Sequence, residues 1–404
     1  MAYTYDLRSI EENDMSLVYN DQDGQGEVLD ALKLKQRLWR HNDSTYKIVK
    51  YDKELLTFDR VHTSGLFRSV IHRNGKILVF TPPKAESPDT FQRSYNPEEC
   101  YAEEYVEGTM INLFYDEETS KWEIATRSCV GAKATYFRSG QVKEEDTFGF
   151  MFMEACNNAN FSFDNLPKEY CYTFVFQHPL NRIVTPFTQT ALYLISVFKV
   201  DGYKVTQLPR ENFRSVLPET IKFPQQYTLE SYEQLREEYS SQNTDYKCVG
   251  AMIVHKNTGS RTKIRNPNYE FVRQLRGNQP KLQYTYISLR QSGKVNDYIR
   301  FYPEVKKEFA LFREQIHSFT NQLHSNYIMC YIKKTKPLKE YPFQFRSHMF
   351  ALHSLYIDVL REQKYFVNRA TVIKYINELH PAKLMFSLNY CMRQQQVDEL
   401  KVSV

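Results

Sequence analysis

Residues 108–128 read GTMINLFYDEETSKWEIATRS. An apolar, aromatic-rich run (MINLFY) meets a charged break (DEETSK), and a second apolar run (WEIA) follows it. That is the pattern of strand, charged turn, strand. Upstream, FRSVIHRNGKILVF (67–80) reads the same way, and Asn74-Gly75 supplies the residues that a tight hairpin turn requires. Downstream, YCYTFVFQ (170–177) and ALYLISVFKV (191–200) read as buried strands, and VGAMIVHKNTGSRTKIR (249–265) as another hairpin. Helical periodicity is predicted over 146–160 and 229–240, and for LDALKLKQRLWR (29–40). From about residue 295 the pattern turns helical and stays so. The expected class is α+β: an antiparallel-strand domain followed by an all-α domain. The expected divisions are an N-terminal extension over 1–60, a strand-rich domain over 61–292 and a helical domain over 293–404.

Charge divides the chain more sharply than its total suggests. Residues 247–404 carry 26 Lys/Arg against 11 Asp/Glu, whereas 1–246 carry 27 against 37. Over 247–294 there are ten basic residues and one acid, Glu270. Such a surface attracts RNA or another polyanion. It also suits a protein partner, or the acidic half of the same chain. KKTKPLKEYPFQFR (333–346) interleaves Lys with aromatics, a pattern for gripping RNA or simply for linking two helices.

Several chemistries lack their residues. There is no Gly-x-x-x-x-Gly-Lys, Gly-x-Gly-x-x-Gly or Gly-x-Ser-x-Gly. The seven Cys are scattered without a CxxC pair, and no His stands at metal-ligand spacing from a partner, so no metal site is predicted. No run approaches the roughly 20 apolar residues of a membrane span. The start, MAYTYDLRSIEEND, lacks the basic and apolar regions of a signal peptide. The expected setting is cytoplasmic and reducing.

Several segments, in order, resemble the RNA ligases of T-even phages, within the covalent nucleotidyltransferase superfamily. LFRSVIHRNG places Arg68 at the family's Arg-Gly strand, and FTPPKAES places Lys84 near a family lysine. EYVEGTMINLFYD (104–116) lies on the Lys-x-Asp-Gly-Ser motif, with IATRS and its Arg127 on the basic strand end that follows. FVFQHPLNRIV (174–184) is similar to the family's Pro-x-Asn-Arg-Ile-Val and contains Arg182. The 249–265 hairpin resembles the Glu-Gly hairpin that ends in two basic residues, here Lys263 and Arg265. The likeness covers about 65–275 and implies an antiparallel, ATP-grasp-like ligase domain. Together with the aromatic-rich, glycine-poor composition, it points to a large DNA virus, and to a viral factory or virion as further settings.

In such ligases the motif lysine attacks the α-phosphate of ATP, with carboxylate-held Mg²⁺ assisting. Aligned on Gly108, with Glu107 in place of the motif Asp, that lysine falls on Tyr105. Two family carboxylates fall on Val175 and Val249. A phenol cannot form a phosphoramidate. The resemblance therefore implies a catalytically degenerate member that binds RNA or nucleotide without catalysis. Its expected nucleotide- or phosphate-binding residues are Arg68, Lys84, Glu107, Gly108, Arg127, Arg182, Lys263 and Arg265. Two other readings stay open: an active ligase using ATP and Mg²⁺ with a relocated nucleophile, for which Lys84 is the candidate, and a structural or assembly protein that reuses the fold.

Overall fold

The computed structural model describes residues 2–135 and 143–402. The chain divides into two compact units, 1–273 and 274–404. Among the described residues the first unit holds the strands, in chain order: β1 (Tyr3–Asp6), the short pair β2 (Ser9–Ile10) and β3 (Asn13–Asp14), β4 (Leu34–His41), β5 (Ser44–Tyr51), β6 (Val70–Arg73), β7 (Lys76–Phe80), β8 (Cys100–Glu104), β9 (Thr109–Asp116), β10 (Lys121–Ala125), β11 (Tyr170–Gln177), β12 (Ala191–Asp201), β13 (Lys204–Leu208), β14 (Gln226–Tyr227), β15 (Gly250–His255) and β16 (Arg261–Arg265). They form antiparallel sheets in the orders β1-β13-β12-β11-β9-β10, β4-β5-β6-β7 and, third, β14-β8-β15-β16. The class is α+β, as expected.

The hairpins read from the sequence are present. Asn74 and Gly75 both take positive φ, 48° and 79°, which matches the right-handed twist of the strands they join. The six-stranded sheet buries one face against the helix Phe148–Asn158, through Ile111, Phe152, Phe174 and Phe176. Its far end packs through Phe198 and Val205 against Val49, Val70 and Phe80 of the β4–β7 sheet.

Residues 29–40 were expected to be helical, and the structure corrects this. The helix Gln25–Ala31 ends at once; Lys33 takes φ 53°, and β4 then runs the length of β5 from Leu34↔Tyr51 to His41↔Ser44. Cross-strand pairing along eight residues outweighs a weak local helical preference. The N-terminal 60 residues thus supply an edge strand to one sheet and half of another.

The third sheet is two-faced. Ala102, Ala251, Ile253 and Ile264 point to one side and pack on Phe91, Tyr232 and Leu235 of the helices Pro88–Ser94 and Tyr232–Tyr239. Because side chains alternate along a strand, Tyr101 and Glu103 of β8, Met252 and Val254 of β15, and Arg261, Lys263 and Arg265 of β16 share the other face. That face lines a cleft.

The second unit is helical, and helix begins earlier than predicted, with Pro267–Arg276 starting inside the first unit. Pro267–Arg276 and Leu282–Gln291 precede Val295–Phe301, Lys306–Tyr327, Phe343–Leu355, Arg369–Glu378, Pro381–Leu388 and Tyr390–Val402. The stretch LQYTYISLRQ is β-rich by composition, yet its buried Tyr286 and Leu289 follow a helical spacing, and packing decides. Most of the Lys-rich segment 333–346 joins two helices, with Lys333, Lys334, Lys336 and Lys339 exposed. Among the described residues no helix is long and apolar enough to cross a membrane.

Candidate phosphate-binding cleft

A cleft of about 660 Å³ opens in the first unit, between the polar face of the third sheet and the six-stranded sheet. Tyr105, Arg68, Lys84, Glu107, Gly108, Arg127, Lys263 and Arg265 all line it. Arg182 is not among the lining residues; its Nε donates to the Val184 carbonyl at 3.0 Å.

The HPLNRIV segment is fastened down by the strip beside it. The Asn181 amide donates to Thr109 Oγ1 (2.7 Å), and the Gln177 amide to the Glu107 carbonyl (3.0 Å). The Glu107 carboxylate accepts the backbone N–H of Val184 (2.6 Å) and of Thr185 (3.1 Å). It was expected to serve a nucleotide; in the structure its oxygens hold the loop. Burial raises its pKa, and those N–H groups oppose the rise. Gly108 sits at φ 147°, and a Cβ there would come within 2.4 Å of the Phe176 carbonyl oxygen. Only glycine allows this approach of two backbones.

The cations are held in different ways. Arg127 lies 4.8 Å over the Tyr51 ring and donates from Nε to the Arg68 carbonyl at 2.9 Å, so it fixes the backbone that carries Arg68. Arg261 is half-buried under the Lys84 loop and donates to the carbonyls of Pro82 and Pro83. Burial brings its pKa down to about 10. Sequence reasoning missed Arg261, although its alternation with Lys263 and Arg265 could have found it. Lys53, Tyr269 and Arg273, also in the lining, carried no such signal.

Arg68, Lys84 and Lys263 make no ion pair among the described residues. Burial, then Arg68 and Arg265, lowers Lys84. Burial lowers Lys263 to about 8, with Arg265, Arg68 and Lys84 adding to the fall and Tyr105 opposing it. At Tyr105 burial raises the phenol, but Lys263, Arg265 and Arg68 more than offset it and bring it down to about 8. The Lys263 Nζ and Arg265 Cζ lie 5.6 and 5.9 Å from the centre of its ring.

Each carboxylate of the cleft is already engaged. Glu103 pairs with buried Arg210, and Glu104 accepts the Gln225 N–H. Glu107 holds the loop, and Glu270 pairs with Arg265 and Arg273. Val175 and Val249 stand in the lining where the resembled family has carboxylates. Among the described residues no group of three or more His, Cys, Asp or Glu is placed to hold a metal ion. Carboxylates with such partners do not fit a Mg²⁺ site, which needs free oxygen ligands.

An RNA ligase of Rhodothermus phage RM378 is 25% identical over 280 residues, which cover 62% of this chain and 62% of that protein. An immediate-early protein ICP-46 homolog of Invertebrate iridescent virus 3 is 26% identical over 200 residues, 48% of this chain and 40% of the relative. The chain therefore spans about three fifths or less of the curated relatives it matches. Among solved structures, an archaeal ATP-dependent RNA ligase overlaps 74% of this chain and 79% of its own at 10% identity and a TM-score of 0.41. A Naegleria gruberi RNA ligase mutant with AMP and Mn overlaps 47% and 57% at 11% identity and 0.35. Overlaps that loose carry no weight for this chain's chemistry. No family model matches. The chain is RNA ligase-like, related to the covalent nucleotidyltransferases, with a viral link.

Proposed function

We propose that this RNA ligase-like protein binds the phosphates of RNA or of a nucleotide in its cleft, without the lysyl-nucleotide chemistry of ligases. One observation carries the reading. Arg68, Lys84 and Lys263 lack a carboxylate partner among the described residues, while Glu103, Glu104, Glu107 and Glu270 are all engaged. Packing cations together without counter-charge costs free energy that a bound polyanion would recover. RNA is the polyanion suggested by the name of the phage relative. The helical unit, with 20 Lys/Arg against 10 Asp/Glu, offers further phosphate contacts. The residue at the position of the ligase lysine is Tyr105, which rules out a lysyl adduct at that position.

The test is filter binding of 5′-phosphorylated RNA and of ATP across a salt series. Affinity should fall steeply with salt, because each phosphate contact releases counterions. No affinity, or affinity indifferent to salt, would sink the reading. A ligated RNA product from the pure protein would sink its second half.

A further inference from the structure

We propose that Tyr105 is a nucleotidyl acceptor: its phenolate oxygen attacks the α-phosphate of a nucleoside triphosphate held in the cleft, forming a tyrosyl–nucleotide phosphodiester. This rests on the cleft binding phosphates, and it adds a covalent step that the binding reading lacks.

Tyr105 follows directly on β8, and its N–H donates to the Gly250 carbonyl at 3.3 Å, so the backbone there is tied to the third sheet. The side chain is only partly covered and faces the cleft. Lys263 and Arg265 flank its ring, both from β16, with Arg68 adding its field from the segment before β6. The largest influences on it after burial are these three cations, although Glu107 and Glu270 share the lining. Four other tyrosines of the lining behave in the opposite way. Tyr3, Tyr5, Tyr101 and Tyr269 are all pushed up by burial, whereas Tyr105 comes down to about 8. A phenol poised to ionise inside a cationic phosphate site is an activated nucleophile, in the sense that a depressed pKa activates a cysteine or lysine.

The step balances without an external reductant or oxidant. The phenol proton is lost to solvent, and the cations hold the phenolate. The bond from Tyr105 Oη to the α-phosphorus forms, the bond from that phosphorus to the bridging oxygen breaks, and pyrophosphate leaves with the electron pair. Lys84 and Arg68 are the cations available to the departing charge. The product is a phosphodiester, whereas a ligase lysine would give an acid-labile phosphoramidate.

The experiment incubates the full chain with α-³²P-labelled ATP or GTP and Mg²⁺ at mildly alkaline pH, with nucleotide binding measured in parallel by equilibrium dialysis. The expected result is label that survives denaturation and acid and maps by mass spectrometry to the peptide containing Tyr105. Tyr105→Phe should abolish the label. Peptide mapping on the wild-type chain keeps the test decisive even if that variant folds poorly. Bound nucleotide with no label overturns the tyrosine step and leaves phosphate binding standing. Acid-labile label on a lysine peptide overturns both the tyrosine step and the non-ligase reading. Absence of nucleotide binding overturns the tyrosine step, whereas the cleft's affinity for RNA is read separately by filter binding.

Discussion

Lys263 Nζ lies 5.6 Å from the centre of the Tyr105 ring, and the two groups pull each other's titration in opposite directions. Lys263, Arg265 and Arg261 on β16, Arg68 before β6 and Lys84 after β7 act on the phenol, while Glu103, Glu104, Glu107, Glu270 and Tyr269 stand on the same lining. Tyrosinate absorbance should therefore show one step near pH 8, well before the remaining tyrosines. Tyr105→Phe should remove that step, and Lys263→Met should move it upward. A spectrum with no step below the ordinary phenol range would contradict the electrostatic reading of the cleft.

The same pair sets a dependence of stability on pH. Tyr105 ordinarily titrates at 10.0 and Lys263 at 10.5, and both fall to about 8 when folded. Between those limits the unfolded chain binds more protons than the folded one, so this pair's contribution rises with pH from about 8 to about 10. Below pH 8 that contribution is absent. Urea midpoints of wild type and of Tyr105→Phe/Lys263→Met should diverge across that window, in favour of wild type. Parallel curves would show that the two groups do not change ionisation on folding.

Glu107 holds the 178–185 loop through two backbone N–H groups. Glu107→Ala leaves those donors without an acceptor, at a cost of about 1–3 kcal/mol in urea unfolding. Glu107→Gln retains one acceptor oxygen and should fall between wild type and alanine. Limited proteolysis should cut near Leu180, already exposed at the loop's tip, faster in the alanine variant. Equal stability of all three chains would remove Glu107 from its anchoring role.

Gly108→Ala asks a residue with a Cβ to adopt φ 147° while that atom meets the Phe176 carbonyl. A loss of roughly 2 kcal/mol or more is expected from backbone strain and collision together. The thermal midpoint and the urea curve both read it. An unchanged midpoint would mean that the Glu107–Gly108 backbone shifts freely.

Arg68→Met and Lys84→Met each remove one unpaired cleft cation without disturbing an ion pair. Each should weaken RNA binding about equally across sequences and reduce the salt slope by about one. Arg182→Met, outside the cleft lining, should leave that slope unchanged. Loss of slope at Arg182 but not at Arg68 would relocate the phosphate site.

Legibility in the sequence followed how local each cause was. The β6–β7, β9–β10 and β15–β16 hairpins announced themselves by alternation and turn chemistry, which act over a few residues. The strand β4 did not, because eight cross-strand pairs with β5 decide it and LDALKLKQRLWR carries a helical spacing. The helix Leu282–Gln291 was missed for the converse reason: local composition favours strand, and buried Tyr286 and Leu289 favour helix. Among the site residues, the Lys263–Arg265 alternation showed its own geometry. The backbone contacts of Glu107 and Arg182 did not show, because they depend on a loop that tertiary packing brings beside them.

The sequence by itself determined the α+β class and the β16 basic face, because these depend on residue type and short-range periodicity; the resemblance alone aligns Tyr105 with the motif lysine. Only the tertiary structure decided which charges are balanced. It brings Arg210 to Glu103, two N–H groups to Glu107 and Arg265 to Glu270, and it leaves Arg68, Lys84 and Lys263 around a phenol. Whether a cation has a partner depends on what lies within a few ångströms in space, and in this chain those neighbours come from residues up to about two hundred positions away.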